Sequence, residues 1–194
     1  MNILTGKLPQ CITVCGSEYA INTDFRTWIE FEELMLEGSK ANETFARAIL
    51  LCMRTQDIVK TSLPPSLEET LKALSDFYFC RTAGTQETQR SAAAGGKRLY
   101  SFSKDASLIY AAFLQQYGID LAASNMHWWK FRALFSALSG DLKICSVMKI
   151  RSAELSEISD SSARSRLARL KAMYALPDLR SESEKEAELA EALW

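Results

Sequence analysis

Residues 103–139 read S-K-D-A-S-L-I-Y-A-A-F-L-Q-Q-Y-G-I-D-L-A-A-S-N-M-H-W-W-K-F-R-A-L-F-S-A-L-S. Ala106, Ile109, Tyr110, Phe113, Leu114 and Tyr117 recur at i, i+3, i+4, i+7, i+8 and i+11, which is one apolar face of a 3.6-residue period. Gly118 follows where a left-handed C-cap belongs. Asn125 is a good N-cap for a second helix carrying Trp128, Trp129, Phe131, Leu134, Phe135 and Leu138 up to Gly140. The spacing predicts two amphipathic helices packed as a hairpin. Aromatic rings bury the most apolar area per residue, so the core is expected to nucleate here, around Trp28, Tyr110, Phe113, Tyr117, Trp128, Phe131 and Phe135.

Working outward, Cys11 to Cys15 and Glu18 to Asn22 alternate as strands, with Ile12, Val14, Tyr19 and Ile21 on one face and Gly16-Ser17 suited to a II′ turn. A lone hairpin is marginal in water and needs a helix to lie on. That helix follows, capped by Thr23 or Asp24 and carrying Phe25, Trp28, Ile29, Phe31, Leu34, Met35 and Leu36 up to Gly38. A further helix spans about 42–54, with a weak far end at Thr55, Val59 and Thr61. The clearest start comes next: Pro64-Pro65 breaks the chain, and Ser66 with Glu69 forms a capping box ahead of Leu67, Leu71, Leu74 and Tyr78. Residues 81–98 are small, polar and aperiodic and read as a flexible loop.

Beyond residue 140, Leu142, Ile144, Val147, Met148 and Ile150 mark a short helix. Asp160 or Ser161 caps another, with Ala163, Leu167, Leu170 and Tyr174 on one face, Arg164, Arg166, Arg169 and Lys171 on the others, and Pro177 as its end. Residues 177–194 form an acidic helix or tail, opened by Ser181 and Glu184. The tail and the basic helix before it are complementary in charge; they fold back on each other, or each serves another molecule. The expected architecture is mainly α: a single domain of six to seven helices over 1–176, with an N-terminal β-hairpin.

Composition narrows the function classes. A chain of 194 residues with 47% hydrophobic and 24% charged side chains is ordinary globular material. A net charge of −1 supplies no basic field for phosphates, which argues against a nucleic-acid role, and no run approaches the ~20 apolar residues of a membrane span. The apolar run at the start is too short for a signal peptide. Five scattered cysteines with no C-x-x-C are expected as free, mostly buried thiols of a reducing cytoplasm. No phosphate-cradling or nucleophile-elbow motif is present. His127, the only histidine, reads as a half-buried imidazole with a hydrogen bond, since no nucleophile or orienting carboxylate is announced beside it. Cys11 and Cys15 alone offer two ligands where structural zinc takes four. In H-W-W-K-F-R the rings share the core stripe and Lys130 and Arg132 flank it, as snorkelling bases do. No catalytic residue, metal site or cofactor is expected, and the chain reads as a non-enzymatic protein.

The stretches I-N-T-D-F-R-T-W-I-E-F-E (21–32), Y-S-F-S-K-D-A-S-L-I-Y-A-A-F (100–113), Y-G-I-D-L (117–121) and H-W-W-K-F-R-A-L-F (127–135) together resemble the bacteriophage gene-product-fifteen family. These are small proteins of long-tailed phages and prophages of Gram-positive bacteria. The likeness covers roughly residues 8–151; the loop 81–98 and the acidic tail are peculiar to this chain. The resemblance implies a viral tail-module protein encoded ahead of the tape measure protein, a position typical of tail assembly chaperones. It implies the tape measure protein and the tail tube protein as partners, self-association, residence in the host cytoplasm during assembly and absence from the mature virion. The alternative it leaves is a structural virion component, such as a head-to-tail connector or tail-completion protein.

Overall fold

A computed structural model describes residues 4–36, 41–54, 64–81 and 98–177. The expected loop 81–98, apart from its two end residues, and the expected acidic segment beyond Pro177 lie outside them, as do Gly38 and the weak stretch after Arg54. The elements are strands β1 (Cys11–Val14) and β2 (Ser17–Ala20) and helices α1 (Phe25–Leu36), α2 (Ala41–Cys52), α3 (Leu67–Tyr78), α4 (Ala106–Tyr117), α5 (Trp128–Ser136), α6 (Lys143–Ser152) and α7 (Ser161–Met173). A 3-10 turn, Leu155–Glu157, separates the last two helices. The described chain is thus mainly α, with one antiparallel hairpin.

Residues 21–24 hold the parts together. Ile21 pairs in antiparallel fashion with Met53 at the end of α2, and Asp24 with His127 at the start of α5. The Asn22 N–H donates to the Cys52 carbonyl at 2.7 Å, Phe25 N–H to Met126 at 2.9 Å, and Trp128 N–H to Thr23 at 2.8 Å. One short extended stretch therefore satisfies the backbone of two helix ends that lie far apart in sequence. Helix α1 packs on α2 and α5, α3 on β1 and α2, α4 on α6, and α7 on α6 and the 3-10 turn. The expected hairpin of α4 and α5 is not the arrangement found. These two helices meet through rings, Phe113 stacked on Phe131 at 5.1 Å, and through the Tyr117 hydroxyl donating to the Leu134 carbonyl. Each has another helix as its main backbone neighbour, because the bridge at Asp24 aligns α5 with α1.

Two local readings shift by a residue or two for the same kind of reason. Helix α5 starts at Trp128, not after Asn125, and ends at Ser136, short of Gly140. The bridge to Asp24 keeps residue 127 extended, and the cap is the His127 ring, whose Nδ1 accepts the Trp129 N–H at 3.1 Å. In the hairpin, Val14 pairs with Ser17, so the turn residues are Cys15 and Gly16 rather than Gly16 and Ser17. Both have positive φ, 48° and 77°, the signature of a type I′ turn. Cys15 is held in that left-handed conformation by Glu69, whose Oε2 accepts its N–H at 3.0 Å and its thiol at 3.1 Å. Only half of the capping box on α3 forms in consequence: Ser66 Oγ accepts the Glu69 N–H, while the Glu69 carboxylate serves the hairpin.

Trp28, Phe113, Trp128 and Phe131 are sealed from solvent, and Tyr117 and Phe135 are half-buried at the edge. Tyr110 was expected in the core and is exposed. The buried face of α4 runs through Ile109, Ala112 and Phe113, which turns Tyr110 and Leu114 outward and leaves the Tyr110 hydroxyl bonded to Asp120.

Candidate functional site

The rings of the core are locked by polar contacts at its border. At the end of helix α3 the indole N–H of Trp128 donates to the Tyr78 carbonyl at 2.8 Å, and that of Trp129 donates at 2.9 Å to the Phe77 carbonyl, which it shares with the helix's own C-terminal turn. Cys80, at φ 56°, closes the same helix in the position where glycine is usual, its N–H donating to Phe77 and the next N–H, of Arg81, to Asp76. Arg26 clamps the connection before α5, donating to the carbonyls of Leu121, Ala122 and Ser124.

Deepest among the charged groups is the pair Asp105–Arg151, with side chains 4% and 5% exposed. The local sequence S-F-S-K-D curls so that Asp105 Oδ2 accepts the Ser101 N–H at 3.0 Å, aiming the carboxylate inward. Arg151, in the last turn of α6, meets it side by side, Nη1 to Oδ2 at 2.6 Å and Nη2 to Oδ1 at 2.9 Å. Its Nη1 also donates to the Leu99 carbonyl and its Nε to that of Tyr174, at 2.9 and 2.7 Å. A planar fork is suited to such shared bonding. With these partners the pair clamps together the chain before α4, helix α6 and the end of α7.

A second cluster joins Glu32, Tyr78, Tyr100 and Arg132. The Tyr78 hydroxyl donates to Glu32. Burial raises the Glu32 pKa above the usual carboxylate range, with that hydrogen bond and the charges of Arg132 and Arg98 pulling it back. Burial likewise raises both tyrosines. Arg132 donates to the Tyr100 hydroxyl at 3.4 Å and lies over the rings of Tyr78 and Trp128, so its stem is packed and its charge sits against π-faces. The Arg98 Nε is buried with no partner among the described residues.

His127 uses both ring nitrogens. Nδ1 is the cap acceptor, so Nε2 carries the proton and donates to the Pro9 carbonyl at 2.9 Å. Partial burial lowers its pKa, and through its two nitrogens the ring ties the start of α5 to the chain before β1. Beside it runs a shallow open groove of about 650 Å³ lined by Lys7, Leu8, Gln10, Asn125, His127 and Lys130. Among the described residues no group of three or more His, Cys, Asp or Glu side chains is placed to hold a metal. The cysteines are free thiols, but the expectation that most are buried is not met: Cys52 alone is buried, Cys80 and Cys145 are half-buried, and Cys11 and Cys15 lie exposed at the hairpin.

Helix α7 differs from the rest. Asp160 caps it by accepting from Ser162 and Ala163, yet none of its residues is buried. Of its expected apolar face, Ala163, Leu167 and Tyr174 are half-buried, while Leu170 is 37% and Met173 70% exposed. Exposed cations and unburied apolar side chains also meet on α2, at Arg47 and Leu50, and on α3, at Leu67 and Lys72, but those helices bury another face, whereas α7 buries none. Sequence reading missed Asp105, Arg151 and Glu32: each pairs across dozens of residues, and the one local hint is an aspartate at a helix start that caps nothing.

A family model described as Bacteriophage Gp15 protein matches residues 4–176. No curated protein and no solved structure matches the chain.

Proposed function

The chain belongs to the bacteriophage Gp15 protein family, and on that premise we propose that it is a non-enzymatic tail assembly chaperone that binds the tape measure protein during assembly. Family membership supports a structural or head-to-tail component of a phage, and the exposed apolar and basic stripe of α7 is the observation that carries the finer, chaperone reading. Physical reasoning supplies the rest. A long tape measure helix exposes apolar surface that aggregates unless covered, and a helix is covered by laying its apolar face on another helical surface. Helix α7 offers such a surface, with Leu170 and Met173 unburied beside arginines. The chaperone acts in the host cytoplasm, associates with itself along the tape, yields to the tail tube protein and leaves before the virion is complete.

The test is co-expression with the long helical protein encoded immediately downstream, followed by size-exclusion chromatography with light scattering. A large soluble complex, with the downstream protein insoluble when expressed alone, is the expected result. Separate elution of the two proteins overturns it. Mass spectrometry of purified virions decides the remaining reading: a chaperone is absent, whereas a connector or tail-completion protein is present in fixed copy number.

A further inference from the structure

The four cations of α7 divide into two kinds. Arg164 is spent on the Ile158 carbonyl, to which Nε and Nη2 donate at 3.0 and 2.7 Å, and Lys171 Nζ donates to the carbonyls of Arg151 and Ala153. Arg166 and Arg169 are exposed, with no hydrogen-bond or ion-pair partner among the described residues. Arg166, Arg169, Leu170 and Met173 fall at i, i+3, i+4 and i+7, so two guanidiniums followed by two unburied apolar side chains share one outer stripe. An apolar strip left open beside fixed charge is the form of a docking surface.

The sequence beyond Pro177 names its occupant. Residues 178–194 carry Asp178 and five glutamates against Arg180 and Lys185. Read at helical spacing, Glu182, Glu186, Leu189 and Leu193 fall at i, i+4, i+7 and i+11: two carboxylates followed by two leucines. The order of charged and apolar groups is the same, so a parallel alignment that sets Glu182 beside Arg166 brings Glu186 to the level of Arg169 and Leu170 and Leu189 to that of Met173, with Leu193 about one turn beyond. The connection permits it. Arg166 to Met173 spans about 10 Å of helix, and the eight residues from Tyr174 to Glu182 reach about 26 Å when extended. The point of departure is fixed, since the Tyr174 carbonyl is held by Arg151.

We propose that the outer stripe of α7 is a docking surface for an acidic amphipathic helix, and that residues 182–193 of the same molecule occupy it until a competitor displaces them. A short connection holds the tail at an effective concentration on the order of millimolar, so an outside helix binds only if it exceeds that threshold. The inference does not need the tape measure as that outside helix.

The experiment uses the full chain. A fluorescein-labelled peptide of residues 178–194 is titrated into the wild-type chain and into Glu182→Gln/Glu186→Gln, whose weakened tail leaves the stripe open. Binding about ten-fold or more tighter to the variant is expected, in keeping with competition from a tethered tail. Adding Arg166→Glu/Arg169→Glu, or the milder Arg166→Gln/Arg169→Gln, abolishes it, with unchanged circular dichroism as the control for folding. Equal affinity for both chains, no binding to either, or indifference to the arginines overturns the proposal. Tryptic cleavage after Arg180 and Lys185 then separates the two sources of a tail. Protection independent of protein concentration supports docking within one molecule, and protection that grows with concentration assigns the stripe to the tail of a second copy and overturns it.

Discussion

Between Phe25 and Phe135 the molecule is held by rings, whereas α7 is held by carbonyls. In the first region Trp28, Phe113, Trp128 and Phe131 are closed to solvent, and Phe131 stacks on Phe25, Phe113 and Trp128 within 6 Å. In the second no side chain is buried; the arm hangs on Arg151 Nε at Tyr174, on Lys171 at the end of α6, and on the edge of α6 itself. Burial of apolar area stabilises strongly and without direction, while charge-assisted hydrogen bonds to carbonyls stabilise modestly and set direction. The fold therefore contains a firm centre and an arm whose opening free energy lies well below the global value.

The strongest way to break this contrast is Trp128→Ala. It removes a sealed indole and the donor on Tyr78, and a loss of about 3–5 kcal/mol is expected in urea denaturation; a loss under ~1 kcal/mol would mean the rings are not the seat of stability. Next comes Asp105→Ala, which leaves the Arg151 guanidinium buried without its counter-charge and costs roughly 3 kcal/mol. Combining it with Arg151→Met removes both charges and restores much of the denaturation midpoint, yet hydrogen exchange in α7 stays fast because the tether to Tyr174 is gone. Slow exchange in the double variant would show that the arm needs no carbonyl tether.

A smaller effect separates the cap of α5 from the core by pH. The folded-state pKa of His127 lies below its usual value through burial, so the unfolded chain binds more protons between the two values. Stability is complete above the ordinary histidine range and falls as pH drops through the folded pKa, when Nδ1 gains a proton and faces the Trp129 N–H as a second donor. His127→Asn, which keeps a cap acceptor, flattens this slope and costs about 1 kcal/mol at neutral pH through the lost bond to Pro9. Glu32 works in the opposite sense. Its raised folded pKa makes the charged form costly, so its contribution declines as pH rises from the usual carboxylate range through the folded value, and Glu32→Gln removes that decline. The least change in global stability is expected at the arm: Leu170→Ala and Met173→Ala lower the unfolding free energy by no more than ~0.5 kcal/mol, because the described chain buries little area there and a tail docked on the stripe opens locally before the core does.

The same contrast explains what the sequence discloses. Signals written within a few residues were legible: the Pro-Pro-Ser start of α3, Gly118 at φ 66° ending α4, and Asp160 capping α7. Features made by distant partners were not. Asn125 is a fair cap until Asp24 pairs with His127 and draws the chain straight. Gly16-Ser17 is a fair turn until Glu69 takes hold of Cys15. Tyr110 matches the apolar period of α4, and only the packing on α6 turns the buried face toward Ala112. The clamp Asp105–Arg151 joins residues 46 positions apart, and its one local trace is Asp105 standing at a helix start.

The contact between Glu69 and Cys15 has a consequence in time. A type I′ turn with cysteine first is a poor nucleus, and here its stabilising carboxylate sits 54 residues away on another element. The hairpin is therefore expected to close late, behind the transition state, once α3 has brought Glu69 to the turn. Glu69→Gln should then speed unfolding and leave refolding unchanged in a stopped-flow chevron, whereas a matching fall in the refolding rate would make the hairpin an early event.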